Sequence, residues 1–432
     1  MRVSAWTSLC VGAYVCLVPL PVGANDWTAF RGTGDGRATQ TVLPSEWAAD
    51  RNIAWDVKLP GGGQSSPVLW KDKIFLTATQ GDNKETLLAL CYSAKDGKLL
   101  WRKDLPSSRP QKRAPRTSLS APTAAVDGKL VYFLFDSTDV FAFDHAGRQK
   151  WHTDLNKLVA PFQIEHDFGS SIRPTRDGLV VHLNHLGPSA VVSLAKSSGQ
   201  LQWKHDLAPE GGSWNTPLVT GTGDAETVLF SRAGGVVALS AKSGERRWGY
   251  EAKWSRGTAL PSLVTAGDLV IVPSAERTGT VAISMAKPGE LVWRAKQATN
   301  GMISPLVVGD YLFLVNTIGV VQCLRATTGE ELWQYRMPGS GWAAPIGAGN
   351  QAYFFTADGT SVILAAGPEL KVLQKNELPL AQPLYAVVPA GNGLLFRTPG
   401  ELLKVAPVAA GKSVRLEPAP AKKAAPGAPG RP

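Results

Sequence analysis

Residues 320–333 read VVQCLRATTGEELW, which is an apolar run, a turn at Thr328-Gly329 and a second run that ends in tryptophan. The arrangement returns as LLALCYSAKDGKLLW (87–101), VFAFDHAGRQKW (140–151), VVSLAKSSGQLQW (191–203), VVALSAKSGERRW (236–248) and VAISMAKPGELVW (281–293). Every copy has glycine at the turn, and glycine readily adopts the positive φ that tight hairpins require. The stretch therefore predicts one two-stranded hairpin, repeated along the chain.

The tryptophans that end these copies set the period of the repeat. Counting from Trp55, which follows a strand-like run with no hairpin before it, the spacings are 46, 50, 52, 45, 45 and 40 residues. A further 40 residues leads to Leu373, where we predict a copy without the tryptophan. A second landmark is a proline near the start of an apolar run, at Pro67, Pro122, Pro174, Pro217, Pro261, Pro305, Pro345 and, more loosely, Pro383.

Between these landmarks each unit has room for four strands. The sixth unit shows them as PLVVGD (305–310), YLFLVNT (311–317), GVVQCLRA (319–326) and EELWQYRM (330–337). Repeated four-stranded units of this length indicate an all-β fold, a single eight-bladed β-propeller. The eighth unit, from Pro383 to about Val405, holds only three strands. We predict that the N-terminal strand around Trp55 supplies the fourth, which closes the last blade and removes an exposed sheet edge.

The composition agrees with many short strands joined by turns. The 432 residues include 44 glycines, 31 prolines and 14 tryptophans, and 19% of them are charged. A chain that is 44% apolar is not a disordered one. The net charge is +10, and the segment from Lys412 to the C-terminus carries five basic residues against Glu417. Because about half of the excess lies in this tail and at Arg2, we predict a solvated basic tail, a mildly basic body and no nucleic-acid partner.

Residues 1–24 are predicted to be a signal peptide. Arg2 is their one charge, an apolar run covers 5–20, and Val22-Gly23-Ala24 presents small residues to a peptidase. We expect an exported chain, periplasmic or extracellular, with no transmembrane segment after signal removal, and a monomer. Residues 25–50 are assigned to an N-terminal extension, 51–408 to the propeller and 409–432 to a disordered basic Pro/Ala-rich tail.

The runs AKDGKLLW, AKSGERRW and ATTGEELW resemble the A-x-D-x-x-T-G-x-x-x-W repeat of the PQQ-like repeat propellers, over about residues 51–405. The N-terminal stretch DWTAFRGTGDGRAT (26–39), with LPSEW (43–47) and RNIAWDVKLPGGGQSSPV (51–68), further resembles a group of exported bacterial propellers. The resemblance implies either a non-enzymatic scaffold, as in BamB, or a quinone-dependent dehydrogenase. In the dehydrogenases of this family, adjacent cysteines stack on the quinone and oxygen ligands hold calcium.

Residues for such chemistry are not found in the sequence. Cys91 and Cys323 each lie ten residues before their tryptophan, in the same strand slot of distant blades, so we predict that no disulfide joins them. His182 and His185 of HLNH fall on opposite faces of a strand and suggest no metal site. FRGTGDGR (30–37) has glycine spacing but no flanking strand and helix, so we predict a turn-rich segment across the propeller. No catalytic residue, metal or cofactor is predicted, and PQQ is kept as the alternative.

The loops that lead from each outer strand to the next inner strand gather around one mouth of a propeller. The candidate ligand-binding residues on them are Trp214, Trp254, Trp342, Arg113, Arg116, His166, Asp167, Arg173, Asn215, Arg256, Asn300, Gln382 and Tyr385. Aromatic rings with an excess of arginine suit an acidic or planar ligand, or a peptide segment. The alternative is that the tryptophans plug the funnel and the arginines are solvated or paired.

These observations favour an exported, non-enzymatic binding or scaffold protein of the cell envelope, whose partner is an envelope protein, a peptide or a glycan. Two alternatives stay open. One is a PQQ-dependent dehydrogenase-like oxidoreductase, and the other is a BamB-like component of outer-membrane protein assembly.

Overall fold

The repeated apolar runs form eight separate four-stranded sheets in a computed structural model of the chain. The structure describes residues 26–110, 120–159, 168–185, 187–208, 214–232, 235–251, 261–273, 279–295, 301–316, 318–409, 411–414 and 416. The eight sheets are the blades of an eight-bladed β-propeller, which confirms the predicted fold.

The first strand along the chain, β1 (Ile53–Lys58), precedes all the others. Blade 1 consists of β2 (Val68–Trp70), β3 (Lys73–Gln80), β4 (Thr86–Ser93) and β5 (Leu99–Pro106). Blade 2 consists of β6 (Ala125–Val126), β7 (Leu130–Leu134), β8 (Asp139–Asp144) and β9 (Gln149–Asp154). Blade 3 consists of β10 (Arg173–Pro174), β11 (Gly178–Leu183), β12 (Ser189–Ala195) and β13 (Leu201–Leu207). Blade 4 consists of β14 (Leu218–Thr220), β15 (Thr227–Arg232), β16 (Gly235–Ser240) and β17 (Arg246–Glu251).

Blade 5 consists of β18 (Val264–Ala266), β19 (Leu269–Val272), β20 (Thr280–Ser284) and β21 (Leu291–Ala295). Blade 6 consists of β22 (Leu306–Val308), β23 (Tyr311–Val315), β24 (Val320–Arg325) and β25 (Glu331–Arg336). Blade 7 consists of β26 (Ile346–Ala348), β27 (Gln351–Phe355), β28 (Ser361–Ala365) and β29 (Val372–Asn376). Blade 8 consists of β30 (Ala386–Ala390), β31 (Gly393–Arg397), β32 (Glu401–Val405) and β1.

Helix is almost absent from the described residues. They contain α1 (Leu155–Leu158) and a 3-10 turn at Gly223–Ala225. None of the described helices has the length and apolar character needed to cross a membrane.

The last blade is closed by the N-terminal strand, as predicted. β1 pairs antiparallel with β32, from Ile53 opposite Val405 to Lys58 opposite Glu401. Because each sheet is an antiparallel meander, its connections divide between two faces. First-to-second and third-to-fourth connections lie on what we call the turn face. Second-to-third connections and the loops between blades lie on the loop face.

Five of the repeated tryptophans each bond to a carbonyl of the next blade. The Trp293 indole N–H donates to Ala326 O at 3.0 Å, and its ring lies against the hairpin glycine Gly329. The same pairing of an indole N–H with a carbonyl of the next blade occurs at Trp101, Trp151, Trp203 and Trp333. The flat ring fills the space between two radial sheets, which is the packing role expected of it.

A bulge precedes each of these tryptophans. In blade 6 the register shifts so that Cys323 faces Trp333 and Leu324 faces Glu331, with Leu332 left unpaired. The bulge also shows that the prediction for Leu373 was wrong. In blade 7 the residue opposite Ile363 is Gln374, and Leu373 is the bulged residue. Gln374 therefore occupies the tryptophan position, one residue later than the spacing indicated.

Hydroxyl groups link the inner ends of the blades. The backbone N–H of one inner strand donates to the side-chain oxygen at the same position of the next, at 2.9–3.0 Å, for Ser66 to Thr123, Thr123 to Ser171, Ser171 to Thr216, Thr216 to Ser262 and Ser262 to Ser304. The prolines of the second landmark stand at differing offsets from this position, as Ser66-Pro67 and Pro261-Ser262 show. The residue with a side-chain hydroxyl, and not the proline, is therefore the constant feature of the inner strands from blade 1 to blade 6. In blade 7 the position is Ala344, where this series of bonds stops.

Residues 26–38, here called the channel segment, cross the axis of the ring. Trp27 pairs with Leu69 of blade 1, Thr28 O accepts the Val126 N–H of blade 2, and Gly36 O accepts the Gly347 N–H of blade 7. These contacts lie on inner strands around the ring, so the segment spans the channel toward the turn face. Gly32, Gly34 and Gly36 have positive φ, and the prediction of a turn-rich crossing segment is confirmed.

The two cysteines within the described residues, Cys91 and Cys323, are free and fully buried in blades 1 and 6. Cys91 faces Trp101 and Cys323 faces Trp333, which is the same strand slot that the sequence predicts. Burial raises the pKa of each thiol to about 12, so both behave as small apolar core residues.

Replacing Gly329 tests the contact between tryptophan and glycine. Gly329 has φ 72°, and a Cβ there would lie 2.5 Å from Trp293 Cε3. Gly309 has a similar φ of 57° and nothing within 4 Å of an added Cβ. Gly329→Ala should lower the free energy of unfolding by about 1–3 kcal/mol more than Gly309→Ala does. If urea denaturation gives the same loss of unfolding free energy for both variants, the cost comes from the positive φ alone and not from the contact with Trp293.

Removing one hydroxyl tests the series of bonds that links the inner strands of blades 1 to 6. Ser262→Ala leaves the buried Thr216 N–H without its acceptor, so it should destabilise the fold by about 1–3 kcal/mol. Ser66 takes part in the series only through its backbone N–H, which donates to Thr123. Ser66→Ala therefore keeps this bond and is the matched control. Chemical denaturation of both variants should show a loss confined to Ser262→Ala, and a similar loss in both would contradict the linking role.

Candidate functional site

Six of the predicted site residues lie within the described residues: Trp214, Trp342, Arg173, Asn215, Gln382 and Tyr385. The remaining seven lie outside them: Arg113, Arg116, His166, Asp167, Trp254, Arg256 and Asn300. The six do not form one cluster. They divide into an aromatic pair on blades 7 and 8, Gln382 in the loop before blade 8, two residues at the start of blade 4 and a buried arginine.

The structure corrects the prediction for Arg173, because its side chain hydrogen-bonds to the channel segment. Its guanidinium donates to Phe30 O at 2.7 Å, Gly32 O at 3.0 Å and Pro217 O at 3.0 Å, and the residue is buried. Burial lowers the pKa of Arg173 to about 10, while Asp35 opposes that shift. Arg173 therefore fastens the channel segment to blades 3 and 4.

Trp342 and Tyr385 form an aromatic pair on the loop face. Their ring centroids are 6.5 Å apart with planes inclined by 30°, and Trp342 is 51% exposed. The Tyr385 N–H donates to Arg397 O at 2.9 Å, which fixes the backbone that carries the ring. Gln382 has a local role, since its Oε1 accepts the Gly400 N–H at 2.8 Å.

Two further apolar side chains extend from the same face on blade 6. Met302, in the loop before β22, is 49% exposed, and Ile318, in the turn after β23, is 58% exposed. We call Met302, Ile318, Trp342 and Tyr385 the loop patch. Sequence reasoning missed Met302 and Ile318 because it weighed only aromatic and polar loop residues. A large apolar residue beside a glycine in a connection, as in Ile318-Gly319, is the signal that could have found them.

The backbone beneath the loop patch is tightly packed. A Cβ at Gly341 would lie 2.4 Å from Phe355 O, and the Met337 N–H donates to Gly319 O at 2.9 Å. The connections of blades 6 and 7 therefore pack backbone against backbone. An exposed side chain on so constrained a platform loses little freedom when it is covered by a partner.

Trp214 and Asn215 open blade 4 beside a buried polar seam. Trp214 is partly exposed and packs against Gly169, while Asn215 is buried and donates Nδ2–H to Ser231 O at 2.8 Å. Beneath them, His182 and Asn184 are fully buried. His182 was considered in the sequence only as half of an HLNH pair.

A family profile described as outer membrane protein assembly factor BamB matches residues 24–159, 187–303 and 277–367, more than half of the chain. The chain belongs to the BamB-like family of PQQ-repeat propellers.

Solved structures place the fold of this BamB-like chain among functionally different proteins. BamB from Moraxella catarrhalis superposes with a TM-score of 0.61 at 16% identity, covering 84% of this chain and 97% of that one. Quinohemoprotein alcohol dehydrogenase from Comamonas testosteroni gives 0.67 at 10% identity, covering 90% and 82%. The computationally designed protein Ika8 gives 0.57 at 13%, covering 82% and 99%. These identities show the fold alone. No curated protein sequence matches the chain.

One of the similar structures is a quinohemoprotein alcohol dehydrogenase. We therefore asked whether the channel could hold a quinone together with a bound cation. Where the channel segment crosses, the buried charges are Arg31 and Arg173, and burial lowers the pKa of each to about 10. Asp35 acts on both arginines, and its Oδ1 already accepts the Thr33 hydroxyl and the Arg37 N–H, each at 3.0 Å. A hard cation needs several free oxygen ligands, so these residues do not fit the group. Among the described residues, no three His, Cys, Asp or Glu side chains are placed to hold a metal.

The buried His182 predicts a pH dependence of stability. Burial lowers its pKa from 6.5 to about 3, with Asn215 opposing the shift. Below pH 6.5 the unfolded chain binds a proton that the native chain does not bind until about pH 3, so stability falls across that window. His182→Gln should flatten this fall, as measured by urea denaturation from pH 7 to pH 4. The control is His205→Gln on outer strand β13, and an unchanged slope in His182→Gln would contradict the assignment.

Proposed function

We propose that the protein is an exported, non-enzymatic binding or scaffold propeller of the cell envelope, and that it holds a protein or peptide partner on the loop face of blades 6–8. The loop patch carries this proposal. Ile318 and Trp342 each leave more than half of a large apolar side chain exposed, at 58% and 51%. Such side chains have a reason to be there if a partner covers them.

The chemistry of the loop patch suits a protein partner. Tryptophan, tyrosine and methionine are enriched where proteins meet, and tryptophan and tyrosine often carry much of the binding energy. Trp342 and Tyr385 come from neighbouring blades, and their rings lie side by side with centroids 6.5 Å apart. The constrained connections beneath them supply a pre-organised surface, which is typical of a scaffold.

Two further observations support the envelope and the scaffold parts of the proposal. Residues 1–24 have the sequence character of a signal peptide. The channel end at the turn face holds the chain's own segment and two buried arginines, which suits packing. The family description names outer membrane protein assembly, so an envelope protein is the partner class that we favour.

Substitution of the loop patch tests the proposal. Trp342→Ser and Tyr385→Ser should each weaken capture of the partner from envelope extracts by about tenfold or more, because each removes a large ring from the contact. Leu201→Ser, on the rim and 40% exposed, is the matched control. Affinity is measured by titrating immobilised mature chain, and near-ultraviolet circular dichroism verifies that each variant is folded.

Cross-linking decides whether the captured protein touches the loop patch. A photoreactive residue at position 318 should cross-link to it, and the same residue at position 201 should not. Capture that is unchanged in both serine variants, or cross-links only from position 201, would overturn the proposal. Dye-linked alcohol oxidation after addition of quinone and calcium would instead support the dehydrogenase alternative.

A further inference from the structure

The turn face carries an open cavity between blades 5 and 6. Its volume is about 570 Å³, which falls within the range of small-molecule sites. Asp268, in the first turn of blade 5, and Asp310, in the first turn of blade 6, line it. The channel segment contributes Asp35 and Arg37 to the same cavity. The cavity opens on the face opposite to the loop patch, so it does not belong to the site proposed above.

The carboxylates of Asp268 and Asp310 are exposed and unpaired. Each residue stands directly before the second strand of its blade, where its carbonyl accepts a backbone N–H of the following hairpin at 2.8 Å. Glu226 holds this position in blade 4, and its carboxylate accepts the Arg176 N–H at 2.9 Å. The carboxylates of Asp268 and Asp310 have no hydrogen bond or ion pair to any residue that the structure describes. Two unpaired carboxylates therefore line the cavity.

The third acidic group of the cavity, Asp35, is offset by arginines. It acts electrostatically on the buried Arg31 and Arg173, and the Arg31 guanidinium donates to Asp35 O at 2.9 Å. The Asp35 Oδ1 also accepts the Thr33 hydroxyl at 3.0 Å. Arg37 is exposed, and its guanidinium has no partner within the described part of the chain. The charged groups that remain for a ligand are thus two carboxylates and one guanidinium.

Apolar side chains complete the lining of the cavity. They include Leu269 of β19, Val292 of β21 and Val307 of β22. Val292 is 47% exposed, although it is a large apolar residue. Methylene groups that cover such a lining remove apolar surface from water, which favours binding of an aliphatic chain.

These groups together specify the chemistry of a ligand. A diamino acid of the lysine type has two ammonium groups that donate to carboxylates, one carboxylate that accepts from a guanidinium, and an apolar methylene chain. A simple diamine lacks the carboxylate, and an aliphatic monoamino acid lacks the second ammonium group. The single net positive charge of the diamino acid also offsets the single net negative charge of the three unpaired groups.

We propose that the cavity between blades 5 and 6 binds a lysine-type diamino acid whose two ammonium groups and carboxylate are free. The ammonium groups bind Asp268 and Asp310, the carboxylate binds Arg37, and the methylene chain packs against Leu269 and Val292. The ligand is a small molecule on the turn face, so the proposal does not depend on a protein partner at the loop patch.

The first test titrates the mature full-length chain with L-lysine, and calorimetry and saturation-transfer NMR report binding. Asp268→Asn and Asp310→Asn should each bind lysine about tenfold more weakly, because each removes a charge-assisted hydrogen bond. Asparagine already holds this position in blade 7 as Asn350, so the substitution suits the turn. Asp72→Asn is the matched control, since Asp72 has the same position in blade 1 and does not line the cavity. It should bind lysine as the parent does.

Two analogues of lysine test the assignment of the charges. Norleucine has the same aliphatic chain without the second ammonium group, and it should bind about tenfold more weakly than lysine. Cadaverine keeps both ammonium groups and lacks the carboxylate. Arg37→Gln should therefore weaken the binding of lysine and strengthen the binding of cadaverine, an opposite response that a structural role of Arg37 alone would not produce.

Several outcomes would contradict the proposal. One is a parent chain that does not bind lysine at millimolar concentration. Another is an equal loss of binding in Asp268→Asn, Asp310→Asn and Asp72→Asn, because only the net charge of the chain would then matter. Near-ultraviolet circular dichroism verifies that each variant is folded. Trp342→Ser separates this proposal from the one above, since it should keep lysine binding while losing the protein partner.

Discussion

At five of its eight junctions between blades, the propeller depends on the contact between an indole of one blade and a hairpin glycine of the next. Trp293 against Gly329 is the clearest case, because ring packing and an indole hydrogen bond to Ala326 act together. Radial sheets diverge toward the rim, and a flat aromatic ring fills the space that opens there. From blade 1 to blade 6, the series of hydroxyl bonds links neighbouring blades near the axis, where backbones are close and small side chains suffice.

The repeat made most of this fold predictable from the sequence. Hairpin glycine, terminal tryptophan and a three-stranded last unit led to eight blades and to closure by β1. The sequence could not show the bulge before each tryptophan, so Leu373 was taken for the position that Gln374 holds. It also could not separate Arg173 from loop arginines, because the carbonyls that bury it belong to Phe30 and Gly32, more than a hundred residues away.

The candidate site was predictable only in part, for a physical reason. The aromatic residues Trp342 and Tyr385 stand out in glycine-rich connections, and the structure pairs them. Ile318 and Met302 resemble core residues in the sequence, and only the fold shows that their side chains have no core to enter. His182 and Asn184 lie on a strand whose pattern suggests ordinary packing. Their complete burial becomes visible only when blade 4 is in place.

The channel segment makes the two faces of the ring unequal. Many ring-shaped proteins invite comparison with a tube, but here the N-terminal residues floor one opening, and Arg31 and Arg173 fasten that floor from within. An approaching molecule could therefore enter the channel from the turn face only by displacing residues 26–38 and breaking their hydrogen bonds to the inner strands.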